Sequence, residues 1–270
     1  MKISIVTISF NQAQFLRECI ESVLNQNHSV VEYIVVDPGS TDGSREIIDS
    51  YGDRIIRVYE KDSGPADGLN RGFARATGDI YGYINSDDYL LPNTLRYIAE
   101  YFSQESGVDV VSGAGKFVDA NGLEIGKVTP SKFSNWLYAY GAVTLFQQGS
   151  FFRSNVFKNI GGFNVENKIC WDGELFVDFY KAGAKFSCVR KDCAAFRMYG
   201  SNISSGPIYG EKLALEHSRI FEKIINRAQS KIDPTIRLAA RFIKLCDLSY
   251  LFRRVLSANY SRPPHARKEA

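Results

Sequence analysis

Residues 1–44 read MKISIVTISFNQAQFLRECIESVLNQNHSVVEYIVVDPGSTDGS, and this stretch decides the fold. Residues 3–8 are a short apolar run of the kind that forms a buried parallel strand. Residues 12–26 carry a helical stripe of apolar side chains, and residues 33–36 are a second strand. Residues 40–44 are rich in helix-capping side chains and open the next helix. The stretch therefore predicts the order strand, helix, strand, helix.

The same alternation continues beyond this stretch. Residues 54–59 and 79–84 are predicted strands, and residues 64–76 and 92–102 are predicted helices. Repeated units of this kind indicate an α/β fold with a Rossmann-like, mostly parallel central sheet flanked by helices. The later predicted elements are a hairpin around Asn121 and Gly122, strands at 149–152, 186–189 and 194–198, a helix at 172–182, and two helical segments from residue 209, broken near Asp233.

Three polar loops follow the predicted parallel strands, at residues 7–11, 37–44 and 85–88. In open parallel sheets the ligand binds beyond the carboxyl ends of the strands. The loops are therefore expected to converge on one edge and to form a binding site there.

Composition narrows the class of protein. The chain has 270 residues, of which 44% are hydrophobic and 23% charged, which is typical of a globular protein and excludes disordered or fibrous classes. No apolar run is long enough to span a membrane, and the N-terminus does not resemble a secretory signal. The five cysteines are odd in number and lack CxxC spacing, so we expect buried, reduced thiols in a cytosolic protein rather than disulfides or a zinc site.

The C-terminal part of the chain is basic. Residues 211–270 carry 13 Lys and Arg against 6 Asp and Glu, whereas the preceding residues carry 20 against 24. We expect residues 206–270 to form a helical, basic extension that either packs on protein or meets anionic lipid headgroups. No aromatic-basic platform for nucleic acid is evident. The cations beside or after its apolar residues are Arg253, Arg254, Arg262, Arg267 and Lys268.

Adjacent carboxylates, Asp87 and Asp88, end the strand at 79–84. They could cap the helix that begins near residue 92. Alternatively, they hold Mg²⁺ or Mn²⁺, which proteins bind through one or two carboxylates together with phosphate oxygens and water. Such a cation would neutralise a diphosphate leaving group.

Other polar residues also have two interpretations. Asp37 begins a tight turn and is expected to reach the crevice, where a carboxylate can accept hydrogen bonds from a nucleoside. Asp67 and Asn70 share a helix face, which is either part of a solvated amphipathic helix or part of a site. Asp172 is either a helix N-cap or a general base, lying beside the aromatic Trp171.

The order of several motifs resembles the family-2 glycosyltransferases with the GT-A fold. The motifs are SIVTISFNQ, YIVVDPGSTDGS, GPADGLNRGFARATGDI, GYINSDDYLLP, QQGSFFRSNVFKNIGGF, WDGELFVDFYKAG and AAFRMYGSN. The resemblance covers residues 1–205, which we take as the GT-A domain. It implies transfer of a sugar from a nucleotide sugar to an acceptor hydroxyl, with inversion at the anomeric carbon.

The resemblance also implies site residues. Asp172 matches the catalytic base, and Asp87 with Asp88 matches the family's metal-binding DxD element, so the implied cofactor is Mn²⁺ or Mg²⁺. Gln147 and Trp171 lie on the implied acceptor side. The residues implied to bind the nucleotide sugar, with a UDP-sugar as the leading candidate, are Thr7, Phe10, Asp37, Asp67, Asn70, Ser86 and Arg197, the last near the diphosphate.

Three positions depart from the family pattern. Pro38 replaces the second aspartate after the strand, so the usual uracil contact is missing. Trp171 replaces the glutamate before the catalytic aspartate. Tyr199 replaces a histidine that would help to hold the metal.

The family's common roles imply synthesis of a surface polysaccharide or lipid-linked glycan, by a cytoplasmic protein that is either free or peripheral on the inner membrane face. Homo-oligomerisation is left open. A non-catalytic nucleotide-sugar-binding scaffold of the same fold is the alternative function. A nucleotidyltransferase is disfavoured because residues 7–15 contain neither glycine nor a basic residue for a triphosphate.

Overall fold

The structure is a computed structural model of the chain and describes residues 1–200, 209–248 and 250–251. The predicted domain boundary between residues 205 and 206 lies outside the described residues, and so do the five tail cations Arg253, Arg254, Arg262, Arg267 and Lys268.

Strands and helices alternate along the chain, as the sequence predicts. The elements are β1 (Ile3–Ile8), α1 (Ala13–Leu24), β2 (Val31–Val36), α2 (Ser44–Asp49), β3 (Ile56–Val58), α3 (Pro65–Phe73), β4 (Ile80–Asn85), β5 (Tyr89–Leu90), α4 (Thr94–Gln104), β6 (Val110–Val118), β7 (Glu124–Val128), α5 (Asn135–Ala139), β8 (Ser150–Arg153), α6 (Ser154–Asn159), α7 (Trp171–Lys181), β9 (Phe186–Arg197), α8 (Tyr209–Ile225) and α9 (Asp233–Leu245).

The first half of the sheet is parallel. β1 pairs with β2 on one side and with β4 on the other, and β3 extends the sheet beyond β2. Ile3 and Ile5 of β1 pack against the core that includes α1 and α4, whereas Val6 packs against the core that includes α3 and α7. Successive side chains of a strand point to opposite faces, so both faces of β1 are covered by helices. The predicted α/β class is confirmed.

The second half of the sheet mixes orientations. β8 pairs antiparallel with β4 and β6, β9 runs parallel to β6, and β5 pairs antiparallel with β9. The predicted hairpin is present as β6 and β7. The separate strands predicted at 186–189 and 194–198 are instead one strand, β9, which pairs with β6 along its length. Register shifts in this pairing accommodate the polar residues that lie between the two predicted strands. The sequence prediction missed the short elements β5, α5 and α6.

Helix α8 packs on the domain that precedes it. Ile220 joins the core that contains α7, and Phe221 is buried against Tyr140. Glu174 of α7 is buried and forms ion pairs with Arg219 and Lys223 of α8. Although burial raises the pKa of Glu174, hydrogen bonds from Arg219, Asn167, Lys223 and Asn164 lower it to about 2. The first C-terminal helix is thus joined to the domain by both apolar and ionic contacts, and the division into two domains stays a prediction.

Two further sequence expectations can be compared with the structure. Within the described ranges, no helix combines the length and the apolar character needed to cross a bilayer. Cys19, Cys170 and Cys193 are buried as expected. Cys188 is only partly buried and Cys246 is exposed, because Cys246 lies just beyond α9, where few side chains cover the chain.

Candidate active site

A cavity of about 920 Å³ lies at the carboxyl edge of the parallel strands. Ile8 of β1 pairs with Val36 and with Asn85, so the loops that follow β1, β2 and β4 begin side by side. The backbone N–H of Asn11 donates to Ser40 Oγ, which joins the first two loops directly. The volume is within the usual range for small-molecule sites. The predicted convergence of polar loops at one edge is confirmed.

Three carboxylates line this cavity: Asp62, which follows β3, and two from distant parts of the sequence, Asp87 and Asp172. Asp87 comes two residues after β4, and Asp172 is the second residue of α7. The aromatic side chains of Phe10 and Trp171 line the same cavity. The cavity thus combines three acidic groups with aromatic surfaces that can contact rings of a ligand.

Asp172 is not a helix N-cap, because Cys170 occupies the capping position. Its Oδ1 accepts a hydrogen bond of 2.7 Å from the N–H of Gly173. Burial raises the pKa of Asp172, and the Gly173 hydrogen bond opposes this rise. A Cβ at residue 173 would lie 1.8 Å from Tyr138 Oη, so only glycine allows the first turn of α7 to pack here. A carboxylate of raised pKa facing a cavity is suited to accept a proton.

The two residues predicted for the acceptor side both line the cavity. Gln147 donates its side-chain amide to the carbonyl of Tyr83 at 3.0 Å. The ring of Trp171 packs 5.5 Å from Tyr83 and 5.6 Å from Phe163, measured between ring centroids. Both side chains are therefore held in place, and their contact with an acceptor stays a prediction.

The aspartates at 87 and 88 have different environments, and neither caps α4, whose N-cap is Asn93. Asp88 is 1% exposed, and its carboxylate accepts hydrogen bonds from the backbone N–H of Arg197 and from the amide of Gln148. Burial and the neighbouring Asp87 raise the pKa of Asp88. Asp88 was predicted as a metal ligand, but both of its oxygens are engaged and it does not line the cavity. It acts instead as an internal support for the loop that carries Asp87.

A metal at this site would be held by Asp87. Its Oδ2 accepts a hydrogen bond of 3.0 Å from the hydroxyl of Tyr199, the residue that stands in place of the family's histidine. The described residues contain no group of three or more His, Cys, Asp or Glu side chains able to form a complete cage. One cavity-lining carboxylate fits the way in which Mg²⁺ and Mn²⁺ bind when substrate phosphate oxygens and water complete the shell.

Arg197 is not where the resemblance implies. Its side chain is 2% exposed and does not line the cavity. Its Nε donates to the carbonyl of Asp87 at 2.9 Å, and Nη1 donates to the carbonyls of Asp119 and Ala120. The guanidinium also forms an ion pair with Glu18. Arg197 therefore supports the Asp87 loop from the side away from the cavity, through the carbonyl of Asp87, while its other donors described here reach Asp119, Ala120 and the Glu18 carboxylate.

The predicted nucleoside end of the cavity contains Phe10, which is 59% exposed, and the buried Ser86. Ser9 and Asn85 also line it. The buried Oγ of Ser9 and Oδ1 of Asn85 have no hydrogen-bond partner among the described residues. Buried polar atoms of this kind ordinarily find a partner, so a polar ligand would satisfy them.

Thr7 and Asp37 were also predicted at the nucleoside end, but neither lines the cavity. Thr7 is fully buried, and its hydroxyl contacts Tyr33 Oη at 2.9 Å because the strand directs it toward α1. Asp37 is fully buried too, and its Oδ1 accepts hydrogen bonds from the N–H groups of Gly39 and Ser40. Asp37 shapes the turn through Oδ1, and its neighbours Pro38 and Gly39 line the cavity. Its buried Oδ2 has no hydrogen-bond partner among the described residues, and its contact with a nucleoside stays a prediction.

Asp67 and Asn70 do not line the cavity either. Asp67 accepts a hydrogen bond from the N–H of Ser63 and forms an ion pair with Arg71, one helical turn along α3. The amide of Asn70 both donates to the carbonyl of Phe163 and accepts from its N–H. These contacts hold the start of α3 and a distant loop, and they occupy the groups that a donor contact would need.

Lys61 is a cavity residue that the sequence analysis missed. It is exposed, and among the described residues it is the only Lys or Arg that lines the cavity. It follows β3, the parallel strand at the outer end of the sheet. The same reasoning about carboxyl ends of strands would have found it, had it been applied to β3 as well as to β1, β2 and β4.

Together, the fold and the cavity define an α/β protein whose candidate ligand site lies beyond parallel strands and contains three carboxylates. The family model for glycosyl transferase family 2 matches residues 4–161. The chain therefore belongs to glycosyl transferase family 2.

Related sequences have similar descriptions. An uncharacterized glycosyltransferase of Nostoc sp. is 28% identical over 214 residues, covering 75% of this chain and 66% of the Nostoc protein. A putative teichuronic acid biosynthesis glycosyltransferase of Bacillus subtilis, TuaG, is 35% identical over 108 residues, covering 38% of this chain and 43% of TuaG. The chain spans 66% or less of the length of each of these curated relatives.

Solved structures share the fold. Staphylococcus aureus TarS 1–349, in complex with UDP-GlcNAc, superposes with a TM-score of 0.68 at 22% identity, covering 95% of this chain and 73% of that one. The mannosyltransferase PcManGT of Pyrobaculum calidifontis, in complex with GDP-Man and Mn²⁺, gives 0.64 at 16% identity, covering 98% and 77%. The predicted GT-A fold is confirmed.

Proposed function

We propose that this chain is an inverting glycosyltransferase that moves a sugar from a nucleoside-diphosphate sugar to an acceptor hydroxyl. The observation that carries the proposal is that Asp87 and Asp172 line one cavity, although 85 positions separate them in the sequence. Membership of glycosyl transferase family 2 supports the reaction class. The name of one relative, the putative teichuronic acid biosynthesis glycosyltransferase, favours synthesis of a cell-surface glycan, in which the acceptor is a glycan or a lipid-linked sugar.

Each group has a distinct part in this reaction. Phe10 offers an exposed ring for the base or ribose, and the unpartnered oxygens of Ser9 and Asn85 offer hydrogen bonds to the nucleotide. Asp172 takes the proton of the acceptor hydroxyl as it attacks the anomeric carbon from the face opposite the leaving group. A divalent cation held by Asp87 would supply positive charge to the departing diphosphate.

A thermal-shift screen tests the proposal as a whole. UDP-, GDP- and dTDP-sugars are each added with and without Mn²⁺, and we expect one nucleotide class to raise Tm more when Mn²⁺ is present, because a ligand of the folded state stabilises it. The responding class identifies the donor base, which is followed by an assay of sugar transfer. Binding without any transfer or donor hydrolysis would instead support the non-catalytic scaffold.

Replacing Asp87 by asparagine is expected to abolish the Mn²⁺-dependent part of that shift and to weaken donor binding at least about tenfold. The reason is that the variant removes the carboxylate charge through which the metal and diphosphate are held, an interaction worth about 1.5–3 kcal/mol for a charged group. Isothermal titration with and without Mn²⁺ measures it. Asp172→Asn is the matched control, since it removes another cavity carboxylate and should leave the Mn²⁺ effect intact.

Replacing Lys61 by alanine is expected to raise the Kd for the nucleoside diphosphate about tenfold, with unchanged Tm. Lys61 takes over the charge role that the resemblance assigned to Arg197, because it lines the cavity and Arg197 does not. The loss should shrink at high salt, since exposed charges are screened. Lys132→Ala, at an exposed lysine outside the cavity, is the control. Equal Kd values for the two variants would contradict the role of Lys61.

A further inference from the structure

Helix α9 is fixed to the protein by one of its faces. Ala240 is fully buried, and it lies in a cluster with Tyr140 and Phe221 that Ile236 also contacts. At the start of the helix, Asp233 accepts hydrogen bonds from the guanidinium of Arg227. These contacts determine which side of α9 is turned outward.

The outward side is apolar. Leu238, Phe242 and Leu245 are 70%, 68% and 44% exposed, respectively. They lie four and three residues apart, so they form one continuous stripe on the helix, which we call the outer stripe. With a period of 3.6 residues, the stripe lies roughly opposite Ala240. Large exposed apolar surfaces of this kind mark interaction sites.

The charges beside the outer stripe have one sign. Arg237 and Arg241 are exposed and lie one helical turn apart along its border. The only acidic residue of α9 is Asp233, which is buried and paired with Arg227. The outward side of α9 therefore presents apolar groups and cations, without a carboxylate.

We propose that the outer stripe of α9 docks the protein on an anionic lipid surface. A helix lying in the plane of the interface places apolar side chains among the acyl chains and arginines at the level of the phosphates, which is the arrangement seen here. A second copy of the chain fits less well, because a symmetric contact would bring the two arginine rows together. A nucleic acid would leave the apolar stripe uncovered.

The docking is expected to be weak and reversible. Each cation near an anionic surface strengthens binding about fivefold, and the exposed apolar side chains of the outer stripe add to it. The proposal concerns binding alone and does not depend on the glycosyl-transfer reaction. If both hold, the cavity works beside a membrane, where a lipid-linked acceptor is available.

Vesicle co-sedimentation of the full chain tests the proposal. Wild-type protein is mixed with phosphatidylcholine vesicles, with and without phosphatidylglycerol, at low and high salt. We expect binding to the anionic vesicles that weakens with salt. Replacing both arginines (Arg237→Gln with Arg241→Gln) should lower partitioning about 30-fold, since two cations are lost. Replacing the stripe (Leu238→Ser with Phe242→Ser) should lower it at least about tenfold on the same vesicles.

Leu215→Ser is the matched control, because Leu215 of α8 is 72% exposed and lies outside the outer stripe. Thermal melts of every variant verify folding. Absence of binding by wild-type protein, or binding that both double variants retain, would overturn the proposal. So would a dimer, detected by light scattering without lipid, that Leu238→Ser with Phe242→Ser dissociates, since this result would assign the outer stripe to a second copy.

Discussion

Asp172→Asn is expected to lower kcat about 100- to 10,000-fold while the Kd for the donor stays near its wild-type value. A general base contributes this range, which corresponds to about 3–5 kcal/mol in barrier height. Asparagine keeps the shape of the side chain and its hydrogen bond from the N–H of Gly173, but it cannot accept the proton. The measurements are steady-state sugar transfer and titration of the donor.

Asp178→Asn is the control for this experiment. Asp178 belongs to the same helix and forms an ion pair with Lys223, and it does not line the cavity. Its replacement should change kcat by no more than about twofold, because a partly exposed ion pair contributes little to the folded structure. A full loss of activity in Asp178→Asn as well would show that α7 is generally sensitive to mutation, and the large loss in Asp172→Asn would then say nothing about proton transfer.

The pH profile offers a second readout of the same residue. Burial raises the pKa of Asp172 above the ordinary value of 3.8. The base must be deprotonated to accept a proton. We therefore expect kcat/KM to reach its full value above the raised pKa and to fall as the pH drops through that pKa. The midpoint of this acid limb should therefore lie above 3.8, and the limb should disappear in the residual activity of Asp172→Asn. A limb that persists unchanged would assign the titration to another group.

The location of the candidate site at the carboxyl edge of the sheet was predictable, because it depends on local sequence patterns and on a general rule for parallel strands. β1, β2 and β4 each combine an apolar run with a polar end, and parallel strands bring such ends together. This reasoning found Asp87 from the sequence, whereas Phe10 was named through the family resemblance. The placement of Asp172 at the same cavity could not be derived in this way, because the sequence around residue 172 does not indicate where α7 lies relative to β4.

The errors concern side-chain direction rather than element type. Thr7 lies near the end of β1, as predicted, but its hydroxyl is directed to Tyr33 in the core. Asn70 lies on α3, as predicted, but its amide pairs with the backbone of Phe163, 93 residues away. Such long-range partners are set by tertiary packing, which a motif alone does not encode. Motif resemblance therefore gave the correct segments, whereas in several cases the side chains have protein contacts that it did not predict.

The placement of Arg197 is the clearest such case. Its replacement distinguishes a structural role behind the Asp87 loop from direct contact with the diphosphate. We expect Arg197→Met to lower the free energy of unfolding by about 1–3 kcal/mol, because Asp87 and Asp119 are only partly buried and Ala120 is exposed. Methionine keeps much of the length of the side chain but leaves the carbonyls of Asp87, Asp119 and Ala120 without their donor. An unsatisfied buried polar group costs about 1–3 kcal/mol. Little of the loss should come from Glu18, which is 53% exposed and can return to water.

The measurement is urea unfolding, read as a change in midpoint at constant m-value. Arg197→Lys should recover only part of the loss, because one ammonium group cannot reproduce the planar array of donors that reaches several oxygens. Lys61→Ala should show the opposite pattern, with reduced affinity for the diphosphate and an unchanged urea midpoint. If Arg197 were instead the cation that contacts the diphosphate, Arg197→Met would unfold at the wild-type urea concentration and lose donor affinity alone. A stability loss would place its charge behind the Asp87 loop, and the affinity loss expected of Lys61→Ala would then identify Lys61 as the basic side chain that faces the leaving group.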